Sequence, residues 1–225
     1  MVKRKIRMKD SVKKKINNID KLYKEAKKCP KRKLCYGNSS IEISVPSPAK
    51  EFGRNKVKIL FINERPGLKG TTKSGEVNPN NDDPTAKLFR NLFEPLGICK
   101  KRIFSTNACL CIPTNDYTKN KSPSAKQVRN CSELLKKQIE ILNPKLIVTL
   151  GNWGRKALGY CLKESETLKE MKKFRLGKDV RKKHFKFDEF IVYPLYHTSP
   201  RTLGRRSEKE QKKDWGKIKV LLKNL

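Results

Sequence analysis

Four strand-like apolar runs, each stopping abruptly at a polar loop, constrain this chain more than any other feature. Val57 to Ile62 stops at Asn63-Glu64-Arg65-Pro66-Gly67, and Arg102 to Thr106 stops at Asn107. Leu146 to Leu150 runs into Gly151-Asn152-Trp153-Gly154, and Phe190 to Tyr196 into His197-Thr198-Ser199-Pro200. Helical patterns separate the runs. Residues 84–97 open with Asp83-Pro84, an N-cap followed by proline at the first helical position. They carry Leu88, Phe89, Leu92, Phe93 and Leu96 on one stripe and end at Gly97. Ser124 caps a second helix that reaches Leu142, where Asn143-Pro144 breaks it. A short helix is expected from Trp153 to Cys161, and a last one over 207–224 that buries Trp215, Ile218, Leu221 and Leu222. The charged stretch 163–189 reads as one helical segment with a hairpin around Gly177. Alternating strands and helices imply an α/β fold of three α/β/α layers around a central four-stranded, mainly parallel sheet. Ligands bind at the carboxyl ends of strands in such sheets. Ends that carry Asn, Glu, Gly and His therefore point to one built site and to an enzyme.

A length of 225 residues fits one globular unit, here 29–225, preceded by a basic helical segment at 1–28. In that segment Ile16, Ile19, Leu22, Tyr23 and Ala26 recur near helical spacing, with lysines on the other faces. Lys and Arg number 55 against 22 Asp and Glu, a net charge of +33. Ordinary soluble surfaces carry a net charge of roughly 2–8. A field this positive attracts polyanions, so nucleic acid is the expected partner. No apolar run approaches the ~18 residues of a membrane span. The Lys-rich start has no apolar core of a secretory signal, so an intracellular protein is expected; separately, a monomer associated with the nucleoid is expected. The seven cysteines then read as buried thiols or metal ligands rather than disulfides.

The strand ends resemble those of a known family. Asn63-Glu64-Arg65-Pro66-Gly67 resembles the Gly-Glu-Ala-Pro-Gly motif of the iron–sulfur (family 4) uracil-DNA glycosylases. Thr106-Asn107-Ala108-Cys109-Leu110-Cys111-Ile112-Pro113 is similar to their Thr-Asn-x-x-Lys-Cys-Arg-Pro. Asn130-Cys131-Ser132-Glu133-Leu134-Leu135 matches a Cys-x-x-x-Leu helix, and Pro144 to Gly151 a Pro-Lys-x-Ile-Val-x-Leu-Gly strand. His197-Thr198-Ser199-Pro200 looks like their His-Pro-Ser. The resemblance runs in order over residues 25–223.

It implies a DNA repair glycosylase that hydrolyses the N-glycosidic bond of uracil, or of another deaminated base, and leaves an abasic site. Asn107 would read the flipped base, its amide donating to O4 and accepting from N3–H. His197 would donate to O2 as negative charge builds there. Glu64 would help to place the water, or else pair with Arg65 or a nearby lysine, and Asn115 roughly matches a second catalytic position. Asn63, Gly67 and Asn81 complete the expected base pocket. Asn81 stands where the family has a phenylalanine that stacks on uracil, so Phe52 or Phe61 is a candidate substitute. Ser199, Arg201, Arg205, Arg206 and Gly151 are expected at the DNA backbone, with Leu203 as the wedge filling the gap left by the flipped base. Gly151 and Gly154 also fit a tight strand-to-helix turn. Cys29, Cys35, Cys111 and Cys131 match, in order, four ligands of a 4Fe-4S cluster. Zinc is the runner-up, and Cys109 is a spare thiol close by. Cys99 and Cys161 are expected to be buried thiols. Arg65, Asn81 and Thr198 depart from the family pattern and leave room for a second reading, an inactive nucleic-acid-binding protein of the same fold.

Overall fold

The computed structural model describes residues 14, 17–37, 42–49, 57–77, 81–113, 122–177 and 180–225. Asn115 and Phe52 lie outside them.

The central sheet contains β3 (Ile59–Asn63), β5 (Ile103–Asn107), β7 (Leu146–Leu150), β8 (Phe185–Lys186) and β9 (Ile191–Leu195), in the order β5-β3-β7-β9-β8. The first four of that order run parallel. The fifth strand, β8, adds an antiparallel edge by pairing with β9. Its turn is closed by Phe187 N–H donating to Phe190 O at 2.9 Å, so the hairpin lies ten residues beyond Gly177, where the sequence suggested it. Two short pairs lie outside the sheet: β1 (Ile43–Ser44) with β6 (Ile112–Pro113), and β2 (Ser47–Pro48) with β4 (Glu76–Val77).

Side chains alternate across a pleated strand, and the two cores divide accordingly. Leu60, Ile62, Phe104, Ile147 and Val192 face one helical layer. It comprises α1 (17–27), α4 (Ala125–Leu142), α5 (Gly151–Cys161) and α6 (Glu166–Lys173). Ile19, Tyr23 and Ala26 are buried there, so helix 17–27 belongs to the core. Tyr23 Oη pins it, 3.1 Å from Thr106 Oγ1 and donating to Gln138 Oε1 at 3.3 Å. Ile59, Phe61, Ile103, Val148 and Tyr193 face the other layer, α3 (Pro84–Phe93) and α7 (Glu208–Lys223). Phe61 stacks on Trp215 with centroids 5.6 Å apart and meets Phe89 edge-on at 5.1 Å. A short helix, α2 (Arg32–Tyr36), leads out of the first helix.

Helix starts follow their capping chemistry. Asp83 accepts from Thr85 N and Ala86 N at the head of α3, and Ser124 with Gln127 forms a capping box on α4. The chain passes from the outer strand β5 back across β3 to β7, which makes a switch point at the carboxyl ends of the parallel strands.

Candidate active site

The cleft lies at that switch point. Asn63 and Asn107 are register partners at the last positions of β3 and β5. Pairing continues past the strands: Ala108 N–H donates to Asn63 O at 2.8 Å and Cys109 N–H to Glu64 O at 3.1 Å. The two loops therefore leave the sheet as one unit. They border a cavity of about 680 Å³ that Glu64, Asn107 and His197 all line. The three side chains singled out for the chemistry thus share one space.

Asn107 is only 3% exposed, and among the described residues its Nδ2 is buried with no hydrogen-bond partner. An unmet buried donor destabilises the fold by about 1–3 kcal/mol. Such a group is retained where a ligand supplies the missing acceptor. Asn63 is used differently. Its Nδ2 donates to Ser105 Oγ at 3.0 Å and to Thr106 O at 3.2 Å, which locks β3 to β5.

His197 follows β9 and is half-buried. Its Nδ1 accepts from Ser199 N–H at 3.0 Å. That bond leaves the neutral ring's proton on Nε2. Burial pushes the imidazole below its ordinary range, while the charge of Glu64 pulls it back. The ring is thus set up as a neutral donor. Thr202 Oγ1 donates to His197 O and Ser199 O, both at 2.7 Å, tightening the turn Pro200–Thr202. Gly151 stands behind the ring: its φ is +81°, and a Cβ there would lie 3.2 Å from His197 Cβ. Gly154 lets α5 approach β3, since a Cβ would lie 2.5 Å from Ile62 O. Gly151 does not line the cleft. The tight-turn reading of these glycines replaces the expected phosphate contact.

Other expected site residues fall elsewhere. Asn81 is not part of the cleft wall: its side-chain amide donates to Glu76 O at 3.4 Å and its main-chain carbonyl accepts from Arg90 at 2.7 Å. Phe61 lies wholly inside the α3/α7 core and presents no face to a base. Phe89, from the same aromatic group, does line the cleft. Arg206 is 6% exposed and holds Asp214 through two bonds of 2.9 Å, so it braces α7 rather than a phosphate. Leu203 packs half-buried against the α3/α7 core, which removes the free projection a wedge needs. Ser199 and Arg201 line the cleft, and Arg205 is exposed beside them. Gly67 lines it too, with open space where a side chain would stand.

Asp83 also lines the cleft, a residue the sequence marks only as a helix cap. Its carboxylate occupies the space beside Gly70, where any Cβ would collide with it. The signal for Phe89 was present in the sequence as one of the ring positions of α3 nearest the Asp83 cap. It reads there as core, because the same residue is also 4% exposed and packed on Trp215.

A group of thiols gathers where the stretch after β5 meets α4. Cys109 Sγ is 3.9 Å from both Cys111 Sγ and Cys131 Sγ. Cys109 and Cys131 are buried, and Cys111 is partly so. Cys29 and Cys35 are half-buried, and Asn130 Nδ2 donates to Cys35 Sγ at 3.3 Å. Hydrogen bonds from Cys109 and Cys131 push the Cys111 thiol down to about 3. Tyr36 Oη lies 3.0 Å from Cys111 Sγ. Arg65 donates to Tyr36 Oη at 3.4 Å and to Cys111 O at 3.2 Å, while also lining the cleft. It thereby ties the thiol group to the loop that carries Glu64. Cys99 is exposed, contrary to expectation, and Cys161 is partly buried, its thiol pushed up to about 12 by burial.

Residues 50–220 match the family model of the uracil DNA glycosylase superfamily, and the chain belongs to that superfamily. Two relatives named type-4 uracil-DNA glycosylase cover almost all of it. The one from Saccharolobus solfataricus is 30% identical over 211 residues, 92% of this chain and 88% of the relative. The one from Sulfurisphaera tokodaii is 30% identical over 206 residues, 92% of this chain and 86% of the relative. A type-5 uracil-DNA glycosylase from Pyrobaculum aerophilum is 24% identical over 165 residues, 68% of this chain and 66% of the relative.

Proposed function

We infer that this chain is a DNA repair glycosylase that hydrolyses the N-glycosidic bond of uracil, or of another deaminated base, and leaves an abasic site. The observation that carries this reading is the orphaned amide of Asn107, buried in the wall of a cleft that His197 shares. Uracil turned out of the base stack supplies what that amide lacks: O4 accepts from Nδ2, and N3–H donates to Oδ1. Cytosine presents the opposite polarity and would leave the amide unmet a second time.

The bond breaks mainly by dissociation, with positive charge on the sugar and negative charge on the leaving base. His197 donates through Nε2 to O2, where that negative charge develops. Its neutral state matters, because Nδ1 must stay unprotonated to hold the bond from Ser199. Glu64 is the carboxylate in the cleft beside His197 and positions the attacking water. Asn63 fixes the floor, and Gly67 leaves room for the base. Ser199, Arg201 and Arg205 meet the DNA backbone, and the positive field of the chain draws the substrate in. The protein acts on intracellular DNA as a monomer; among the described residues no helix is long and apolar enough to cross a membrane.

A 4Fe-4S cluster is the cofactor we propose, with Cys29, Cys35, Cys111 and Cys131 as its ligands. The donor set fits: four sulfur ligands, one buried and three half-buried, gathered from separate segments. When bound, the cluster supplies a covalent tie between the N-terminal segment and the loop after β5 rather than a reaction step.

An inactive binding protein draws little support from the departures that suggested it. Arg65 braces the thiol group, Asn81 faces its own loop, and Thr198 is buried next to a correctly turned histidine. The test is release of free uracil from a uracil-containing oligonucleotide. His197→Ala and Asn107→Ala should each reduce it sharply; wild-type rates in both variants would remove this assignment.

A further inference from the structure

We propose that Thr198 is a second donor to the departing base: its hydroxyl joins the His197 ring at O2, where negative charge develops. This role adds a residue to the glycosylase reading and depends on that reading. Thr198 is 0% exposed, and its Oγ1 is buried with no hydrogen-bond partner among the described residues. It lines the cleft together with His197 and Asn107. The Asn107 amide is therefore not alone, since a second buried polar group in that wall lacks a partner.

A buried hydroxyl without a partner destabilises the native state. Threonine ordinarily avoids this by bonding a nearby main-chain group. Thr202 does so in the same turn, its Oγ1 donating to His197 O and Ser199 O, both at 2.7 Å. Thr198 stands between those two residues and bonds neither carbonyl. The matching position of the His-Pro-Ser motif holds proline, so such a turn forms without a hydroxyl there.

The backbone on either side of Thr198 is fixed. Ser199 N–H donates to His197 Nδ1 at 3.0 Å, and Thr202 N–H donates to Ser199 O at 2.9 Å. Donors held in place before the reaction stabilise developing charge without reorganisation. A threonine hydroxyl has one proton to give, and a carbonyl oxygen has two lone pairs. Uracil O2 can therefore accept from His197 Nε2 and from Thr198 Oγ1 together. Bonds of this kind tighten only when substrate fills the site.

The test is single-turnover release of uracil from a single-stranded oligonucleotide, with the full chain in excess. Wild type, Thr198→Val and Thr198→Ser are compared. Valine keeps the branched shape and removes the unmet hydroxyl, so Thr198→Val should melt at or above the wild-type temperature. Its maximal rate should fall about 10- to 150-fold, the loss expected for one hydrogen bond to a charged group. The enzyme concentration giving half the maximal rate should change little, because the bond strengthens only as charge develops. Thr198→Ser keeps the hydroxyl and should keep most of the rate. With fluorouracil in place of uracil the Thr198→Val defect should shrink, since fluorine already stabilises the departing anion. A threonine that serves only the fold would give equal losses on both bases. A wild-type rate in Thr198→Val, weaker half-saturation at an unchanged rate, or equal losses on both bases would overturn the proposal and leave the glycosylase reading in place. A wild-type chain that releases neither base would remove that reading and Thr198's role with it.

Discussion

Replacing Asn107 with alanine should separate stability from activity in opposite directions. In the free protein Nδ2 is a buried donor without a partner among the described residues. Its unmet bond destabilises the native state by about 1–3 kcal/mol, and truncation removes that term. The three heavy atoms deleted leave a void of roughly 40 Å³, worth about 1 kcal/mol at ~24 cal/mol per Å³. Because the residue borders the cleft, water can enter part of that void. The net change is then between about zero and 2 kcal/mol of stabilisation. For a chain of this size each kcal/mol shifts the melting temperature by about 2–4 °C. A thermal melt should show a midpoint unchanged or raised by up to about 8 °C. Activity should move the other way. Two bonds to the base, each worth about 0.5–1.5 kcal/mol net, amount to a loss of roughly 5- to 150-fold in kcat/KM. Uracil release from a single-stranded oligonucleotide measures this directly. A variant that melts well below the wild type yet keeps its rate would show that the amide serves the fold and not the base.

Three further outcomes follow from the geometry. Arg206→Ala removes both short bonds to buried Asp214 and leaves Arg181 3.5 Å away, so stability should fall by about 3 kcal/mol, the low end for a broken buried pair. Urea unfolding checks it, and the salt dependence of DNA binding should not change, since no phosphate contact is lost. Gly154→Ala drives a Cβ to 2.5 Å from Ile62 O, and the backbone must yield. A loss of about 1–3 kcal/mol is expected in a thermal melt. The pH profile should reflect His197. Burial lowers its native proton affinity below that of the unfolded chain, so its contribution to stability is present above about pH 6.5 and is lost as pH falls through the native pKa. Activity should hold steady down through that ordinary imidazole range and decline only below it. A decline centred at or above it would contradict a neutral, half-buried ring.

The parallel strands were legible in the sequence because they are buried on both faces and end at polar loops. Ile59 to Ile62 and Leu146 to Leu150 show this most plainly. Asp83 and Ser124 announced their helices through side-chain oxygens placed to receive free N–H groups. The edge strand β8 was not legible, since two residues carry no period. Site residues divided along a similar line. Asn107 and His197 stand at strand ends that border one cleft, a juxtaposition their positions in the sequence suggested. Arg206 was misread because a basic residue in a loop near a DNA site looks like a phosphate contact until its buried partner is known. Asp214 lies eight residues on, two turns into the helix that follows, with nothing in the sequence to pair them. Asn81 was placed by alignment to a loop whose backbone here turns its amide toward Glu76. Cys109 reads as spare by order along the chain, which does not reveal that its sulfur lies 3.9 Å from those of Cys111 and Cys131.

The most direct test of the account is a crystal structure of the chain with free uracil. The ring should lie in the cleft with O4 within hydrogen-bond reach of Asn107 Nδ2 and O2 within reach of His197 Nε2. Uracil bound away from both groups, or a cleft that binds none at saturating concentration, would contradict it.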